Sequence, residues 1–469
     1  MSPVTSLSLR RTEAGRDPSR AKTAARGGWR WPPRPEPPPR RGVRLSFAAA
    51  GACTYVATFA FPVAANASLV LLAVASVLAA AFDRRTSRRN NRLLAAVALF
   101  GLSTIVSTMM SIDVARSLRL SIPLIPGALL FLLISGHFDR RQIRCLYAAL
   151  TFVSLAMAGY LVWLPGRDPS GGPVEWVEAT DATLTLFVVP NDVVFFAAVL
   201  PLSLALVVDA PGSDLAILSA LAVLADVIVV VVYQSRGALL TSLLVVGLWA
   251  VWLRRRAALA LVGGTLVVIL GTDGMVGFPL CRRFWETWAT RIPIWLAALN
   301  MYQDAPLLGH GPRCFGVLFK DYFEGLDLPA WLPADPRLAP WAHNLYLETL
   351  AEQGIPGCAA LLLVVCVALS TGVSLQRARP SETRTLGMGA LTGLLALCAA
   401  GVFELTFLRL WVVVVFFSLL GAIAALGATA DGPVAEASND SRLLVNPRMH
   451  DPLASGECAV GHLSAGLPR

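Results

Sequence analysis

Apolar runs long enough to cross a lipid bilayer recur along the chain from about residue 45 to residue 427. They are continuous rather than alternating, which favours membrane-spanning helices over a transmembrane barrel. Hydrophobic residues make up 56% of the chain and charged residues 15%, far from the composition of a water-soluble globular domain. The sequence therefore predicts an all-α polytopic membrane protein.

The apolar runs divide into about 12 transmembrane helices. We place these spans at residues 45–64, 66–82, 93–111, 120–135, 145–164, 193–208, 215–234, 237–253, 257–272, 355–375, 386–404 and 410–427. Two longer segments separate spans, at about 165–192 and 273–354. The second is the long loop between spans 9 and 10, and long loops of this kind are commonly functional.

Arginine distribution predicts the orientation. Four of the five loops that follow even-numbered spans are rich in arginine, as the positive-inside rule expects of cytoplasmic loops. Both termini are then cytoplasmic, and the loop 273–354 is extracytoplasmic. We expect a membrane domain over 44–427, flanked by disordered cytoplasmic tails at 1–43 and 428–469.

The N-terminal tail is strongly basic. Residues 1–44 carry ten Arg and one Lys against three acids, and they account for +8 of the net charge of +9. Beside a membrane, such a tail indicates contact with anionic membrane lipids and not nucleic-acid binding.

Three polar side chains are candidates for chemistry at the outer face. Arg236 lies at the outer boundary between spans 7 and 8, Arg291 is expected to open an amphipathic helix in the long loop, and His343 lies just before span 10. Guanidinium groups bind phosphate oxygens in bidentate fashion, and histidine accepts a proton near neutral pH. Arginines that anchor helix ends and a surface histidine are the alternative interpretation.

Three further polar residues follow His343 at helical spacing. Asn344, Glu348 and Glu352 fall on one face of a helix, which by default is a solvated face.

Five stretches, in this order, resemble the core of the bacterial O-antigen ligase and polymerase superfamily. They are VVPNDVVFFAAVLPL (188–202), QSRGALL (234–240), R-x-x-x-W (291–295), PLLGHGP-x-x-F (306–315) and AHN-x-x-L-x-x-x-A-E-x-G-x-x-G (342–357). The resemblance covers about residues 188–405.

The resemblance implies a glycan transferase of the bacterial cytoplasmic (inner) membrane with its active site outside. The donor would be an undecaprenyl-diphosphate-linked glycan, and the acceptor a hydroxyl of a glycan, lipid or protein. His343 would be the catalytic residue and Arg236 and Arg291 would bind the diphosphate. Asn344 and Glu352 would support them, with Glu352 either orienting the imidazole or capping a helix. The family implies inversion at the anomeric carbon, with no cofactor and no metal. His310, at a position usually small or apolar in the family, is expected to be incidental.

Two other functions remain open at this level. A polysaccharide polymerase would carry the same core, and a flippase or transporter for lipid-linked sugars would account for Asp226 in the middle of span 7. The sequence shows no inverted repeat and no paired broken helices, which weighs against a transporter.

The predicted orientation can be tested with reporter fusions. A topology reporter fused after Arg255 should read cytoplasmic, and one inserted within 320–335 should read extracytoplasmic, because the arginine-rich loops stay inside. Two fusions that report the same side would contradict this arrangement.

Overall fold

The computed structural model describes residues 46–82, 90–163, 191–233, 235–253, 279–332, 341–378 and 381–428, together with the isolated Arg256 and Gly263. The tail 1–43, the tail from 429 onward and the predicted span 257–272, apart from Gly263, lie outside this part of the chain.

The described residues form an all-helical structure. Its helices are α1 (Phe47–Thr58), α2 (Pro62–Phe82), α3 (Asn91–Met109), α4 (Val114–Ser121), α5 (Leu124–His137), α6 (Arg140–Trp163), α7 (Val194–Asp209), α8 (Asp214–Val232), α9 (Arg236–Trp252), α10 (Pro279–Asp304), α11 (Phe315–Glu324), α12 (Leu345–Ala378), α13 (Ser381–Ala400) and α14 (Leu410–Ala428).

Helix lengths and hydropathy confirm a polytopic membrane protein. In the described part of the chain, seven helices are long and apolar enough to span a bilayer, or eight if the bent pair α4 and α5 counts as one span. Three shorter apolar helices are α1, α7 and α9. Every predicted span other than 257–272 overlaps a helix, while the total of 12 spans stays a prediction.

The core is built around α7 and α14. Every residue from Trp411 to Leu426 is buried, as is every residue from Val194 to Ser203. A helix that is apolar on all sides must lie inside a bundle. By contrast, α8 keeps only part of its surface buried and exposes apolar side chains such as Leu224 and Val231, as a lipid-facing helix does.

One polar contact inside the bundle joins α6 to α8. Asp226, in the middle of α8, accepts a hydrogen bond at Oδ1 from Ser154 of α6 at 2.5 Å. Its Oδ2 is buried and has no hydrogen-bond partner among the described residues. The contact with Ser154 gives Asp226 a neighbour that the sequence did not reveal.

Helix α12 is broken where the sequence reads Gly-Ile-Pro-Gly. Gly354 has a φ of 67°, and Pro356 follows it without a backbone N–H. The break leaves carbonyls of the first turns without intrahelical donors. The loop after α10 supplies those donors, because His310 N–H bonds the Ala351 carbonyl at 3.1 Å and Gly311 N–H bonds the Glu352 carbonyl at 2.9 Å.

One local prediction is wrong. Arg291 does not open its helix: α10 begins at Pro279, so Arg291 lies in its interior. Pro293 also lies inside the helix, where it removes one backbone hydrogen bond.

The docking of the loop on α12 depends on Gly309. It has a φ of +65°, and a Cβ there would lie 2.2 Å from the Glu352 carbonyl carbon. Gly309→Ala should therefore destabilise the protein by about 1–3 kcal/mol from backbone strain, with the clash in addition. Thermal unfolding in detergent measures this. Gly159→Ala is the matched control, since a Cβ there meets nothing within 4 Å, and an equal effect of both would contradict the argument.

Candidate active site

His343 lies in a short non-helical segment that leads into α12. Its φ is +50°, a left-handed conformation that few side chains adopt and that histidine tolerates better than most. Asn344 follows and caps the helix, because its Oδ1 accepts from the backbone N–H groups of Tyr346 and Leu347 at 3.0 Å each. The cap holds the backbone on one side of His343 in place.

Arg291 reaches from the middle of α10 to the connection between α13 and α14. Its Nη2 donates to Glu404 Oε1 at 2.6 Å, and its Nη1 donates to the Phe403 carbonyl. The guanidinium and the carboxylate are both largely buried. Ion pairs of this kind offset the cost of desolvation only when they are also hydrogen-bonded, as this one is.

Arg236 approaches the same carboxylate from α9. Ser235 caps that helix by accepting from Ala238 N–H at 3.4 Å, so the Ser-Arg-Gly stretch places Arg236 in the first turn. Gly237 has no side chain, and a Cβ there would lie 3.1 Å from Glu404 Cγ. The glycine lets Glu404 pack directly against the helix.

A small cavity of about 40 Å³ opens between these groups. Its lining consists of Arg236, Gly237, Leu240, Trp288, Arg291, Phe403 and Glu404. A water molecule fits a cavity of this size, but drug-sized ligands occupy roughly 300–1,000 Å³. A lipid diphosphate therefore requires this region to open.

Glu404 connects His343 with the arginines. Its Oε2 lies 3.9 Å from His343 Nδ1, while its Oε1 is bonded to Arg291. Among the residues that the structure describes, Oε2 is buried and has no hydrogen-bond partner. The structure thus brings His343, Arg236 and Arg291 together around one carboxylate.

The same nitrogen atom of His343 also contacts Trp341. The indole Nε1 donates to His343 Nδ1 at 3.3 Å, and the two ring centroids are 5.2 Å apart. Arg409 lies over the indole at 4.6 Å from the ring, and its Nη1 is 3.5 Å from Asp192 Oδ2. The carboxylate of Asp192 also accepts from Trp411 Nε1 at 2.8 Å.

Asn344, Glu348 and Glu352 do not form a solvated face, and that prediction is wrong. All three are buried, and Glu348 Oε2 accepts from Ala342 N–H at 3.1 Å while its Oε1 accepts from Thr406 Oγ1. Glu352 Oε1 accepts from Phe315 N–H at 3.1 Å. Glu352 thus caps α11, and the carboxylate beside the imidazole is Glu404.

A second buried ionic cluster forms here. Arg313, with a φ of 70°, donates from Nη2 to the Phe407 carbonyl at 2.6 Å and lines the same small cavity as Glu348 and Glu352. Burial lowers the pKa of Arg313, and the charges of Glu352 and Glu348 oppose that shift. The cluster joins the loop after α10 to α12 and to the connection before α14.

Burial also governs the electrostatics of Glu404. It raises the pKa of this carboxyl above its ordinary value, and Arg291 only partly reverses the shift. Asp192 raises it further and Arg236 lowers it. Glu404 therefore takes up a proton at a higher pH than an exposed glutamate does.

His310 is separate from this arrangement. Its Nε2 lies 3.0 Å from the Met301 carbonyl and its ring packs on Tyr322. These contacts stabilise the loop after α10. Over the described residues, no group of three or more His, Cys, Asp or Glu side chains could hold a metal ion.

Sequence reasoning missed Glu404, Trp341, Arg409 and Asp192. The signal for Glu404 and Arg409 was available, since both are charged residues at the short connection between two predicted spans, where a charge requires a partner. Which partner each would find depends on helix packing and is not encoded locally.

Removing the Glu348 carboxylate tests the buried cluster. Glu348→Ala should lower stability by about 3 kcal/mol, because it leaves Arg313 with less compensation and the Ala342 N–H without an acceptor. Thermal unfolding in detergent is the measurement. Glu324→Ala, at an exposed glutamate that pairs with Lys320 at 3.8 Å, is the control and should change stability by less than about 0.5 kcal/mol. Equal stability of both variants would contradict the assigned role.

Comparison with known proteins agrees with the resemblance in the sequence. No curated protein matches the chain. Residues 220–362 match the family model described as O-Antigen ligase. The match includes Arg236, Arg291 and His343, while Glu404 lies beyond it. The matched region covers less than half of the chain, and it supports a relationship to the O-antigen ligase superfamily.

Proposed function

We propose that this protein transfers a glycan from an undecaprenyl-diphosphate-linked donor to an acceptor hydroxyl at the outer face of the cytoplasmic membrane. The reaction is of the ligase type and serves the synthesis of cell-surface polysaccharide or lipopolysaccharide. The family match over residues 220–362 supports an enzyme that acts on lipid-linked glycans in a membrane. The acceptor is a glycan, a lipid or a protein.

The observation that carries the proposal is the grouping of two arginines and a histidine around Glu404. Arg236 and Arg291 line one cavity, and His343 lies 3.9 Å from the carboxylate that Arg291 binds. Cationic donors for a phosphate leaving group and a proton acceptor for a hydroxyl are the two requirements of this transfer.

The arginines suit the diphosphate end of the donor. A guanidinium has five N–H donors, and Arg291 uses one donor from each of two nitrogen atoms on Glu404 and Phe403. The remaining N–H groups are available for phosphate oxygens once the cavity opens. Fixed cations in a water-poor site stabilise the negative charge that grows on the leaving group.

The reaction is a displacement at the anomeric carbon. The acceptor oxygen forms a bond to that carbon from the face opposite the diphosphate, so the configuration inverts. The bond from carbon to phosphate oxygen breaks, and its electron pair leaves with the diphosphate. The hydroxyl proton passes to the imidazole of His343. No step in this scheme requires a metal ion or another cofactor.

A deletion strain tests the function. Loss of surface glycan together with accumulation of full-length lipid-linked glycan is the expected result for a ligase. Attachment of a single repeat unit would instead identify a polymerase of the same superfamily, and trapping of the carrier on the cytoplasmic side would identify a flippase. Either of these outcomes would overturn the ligase proposal.

His343→Ala should lower turnover by about 10²–10⁴-fold and leave donor binding nearly unchanged, because a general base acts mainly in the transition state. Turnover is measured with lipid-linked glycan and acceptor lipids extracted from the deletion strain, and binding with undecaprenyl diphosphate. His310→Ala is the matched control and should retain turnover. An active His343→Ala variant would remove the proposed mechanism.

A further inference from the structure

The hydrogen bond from Trp341 determines which nitrogen of His343 carries the proton. An indole N–H donates and cannot accept, so His343 Nδ1, 3.3 Å from it, must present its lone pair. A neutral imidazole has one N–H, which is then on Nε2. The partner of a ring nitrogen assigns the tautomer in this way.

This tautomer is not the one that general-base catalysis through Nε2 requires. With a proton on Nε2 and the indole on Nδ1, the ring has no free lone pair for the acceptor hydroxyl. Deprotonating the hydroxyl through Nε2 first requires the proton to move to Nδ1. A proton on Nδ1 in turn requires an acceptor beside that atom.

Glu404 Oε2 is positioned to be that acceptor. It lies 3.9 Å from Nδ1, beyond hydrogen-bond length but within a small rotation of the imidazole. Within the described part of the chain it is buried and has no hydrogen-bond partner, an arrangement that usually costs free energy. Arg291 holds the other oxygen, so the carboxylate is fixed in this orientation.

Resting on the proposed function, we propose that Glu404 is a positioning residue that selects the base tautomer of His343, in competition with Trp341. When Nδ1–H is donated to Glu404 Oε2, Nε2 is left as the proton acceptor for the hydroxyl. When the indole donates to Nδ1, the proton stays on Nε2 and the imidazole cannot act as a base. The hydrogen-bond partner of Nδ1 thus determines whether the imidazole is in its inactive or its reactive tautomer.

The indole of Trp341 is held in place by a cation above its ring. Arg409 lies over the Trp341 ring at 4.6 Å, and Asp192 holds Arg409 at 3.5 Å. His343 has a φ of +50°, a backbone conformation of higher energy than the common regions. The tautomer change therefore falls to the imidazole of His343, which lies between the fixed indole and the fixed carboxylate.

The charge on Glu404 sets the pH response. A protonated Oε2 cannot accept from Nδ1, so activity falls as the pH drops through the raised pKa of Glu404. The titratable and charged groups that face this carboxylate are Arg291, Arg236, Asp192 and His343. Turnover should therefore have an acid limb that depends on Glu404.

Glu404→Gln tests the proposal with little change of shape. Arg291 requires an acceptor, so the amide carbonyl should occupy the Oε1 position and the NH₂ group the Oε2 position. The NH₂ group then donates towards Nδ1 and keeps the proton on Nε2. We expect kcat to fall by about 10²-fold or more, within the range that general-base catalysis contributes. The KM for lipid-linked glycan from the deletion strain should change less than about twofold, and the Glu404 acid limb should disappear.

Glu324→Gln, on the exposed face of α11, is the carboxylate-to-amide control and should keep kcat and its pH profile.

Trp341→Phe tests the role of the indole as the competing donor, and it leaves Glu404 unchanged. The ring remains beside Arg409, but the N–H donor is removed. Nitrogen-15 NMR of histidine-labelled protein, with the His343 signal assigned by its absence in His343→Ala, should show the proton on Nε2 in the unaltered protein. In Trp341→Phe the population should shift towards Nδ1–H with kcat retained or raised.

The outcomes separate this inference from the proposed function. If His343→Ala is inactive while Glu404→Gln keeps the original kcat and pH profile, the function stands and the inference is overturned. A higher KM with unchanged kcat in Glu404→Gln also overturns it, since Glu404 would then act only through donor binding by Arg291. An Nδ1–H signal in the unaltered resting protein overturns it independently of activity, even if Glu404→Gln fails to fold. An active His343→Ala variant removes the function itself.

Discussion

The carboxylate of Glu404 is the contact on which the arrangement of the candidate active site depends. Arg291 arrives from α10, Arg236 from α9 and His343 from the segment before α12, and Glu404 itself lies between α13 and α14. A buried negative charge is costly unless cations and donors surround it. Satisfying that one charge brings together residues that are far apart in the sequence.

Backbone geometry around α12 positions the histidine. The break at Gly354 leaves helix carbonyls available for the loop after α10, while Asn344 caps the helix start. His343 and Arg313 both have positive φ values although neither is glycine. Such conformations persist only where the surrounding contacts impose them, and here caps, loop bonds and buried ion pairs do so on both sides.

The buried glutamates near His343 differ in how their carboxylate oxygens are hydrogen-bonded. Glu348 and Glu352 have backbone N–H groups as hydrogen-bond donors and share a small enclosed cavity with Arg313. Glu404 has one bonded oxygen and, among the described residues, one oxygen with no partner next to the imidazole. A carboxylate whose oxygens are bonded holds a structure together. Glu404, with a buried oxygen that has no partner among the described residues, is the carboxylate on which the proposed choice of tautomer depends.

The sequence by itself determined the all-helical membrane architecture, because continuous apolar runs have few other stable forms in a bilayer. It also identified Arg236, Arg291 and His343 as candidate site residues. Polar and charged side chains beside apolar spans need a partner or a ligand, and the motifs that contain these three resemble a known superfamily. The helix start expected at Arg291 and the solvated face expected for Glu348 were wrong. Local spacing cannot tell a solvent-facing side from one covered by a distant loop. Only the tertiary structure decided that Glu404 and not Glu352 lies beside the imidazole. The reason is that a buried carboxylate takes the cations and donors that helix packing brings to it, and those come from segments more than a hundred residues apart, as in the bond from Arg291 to Glu404.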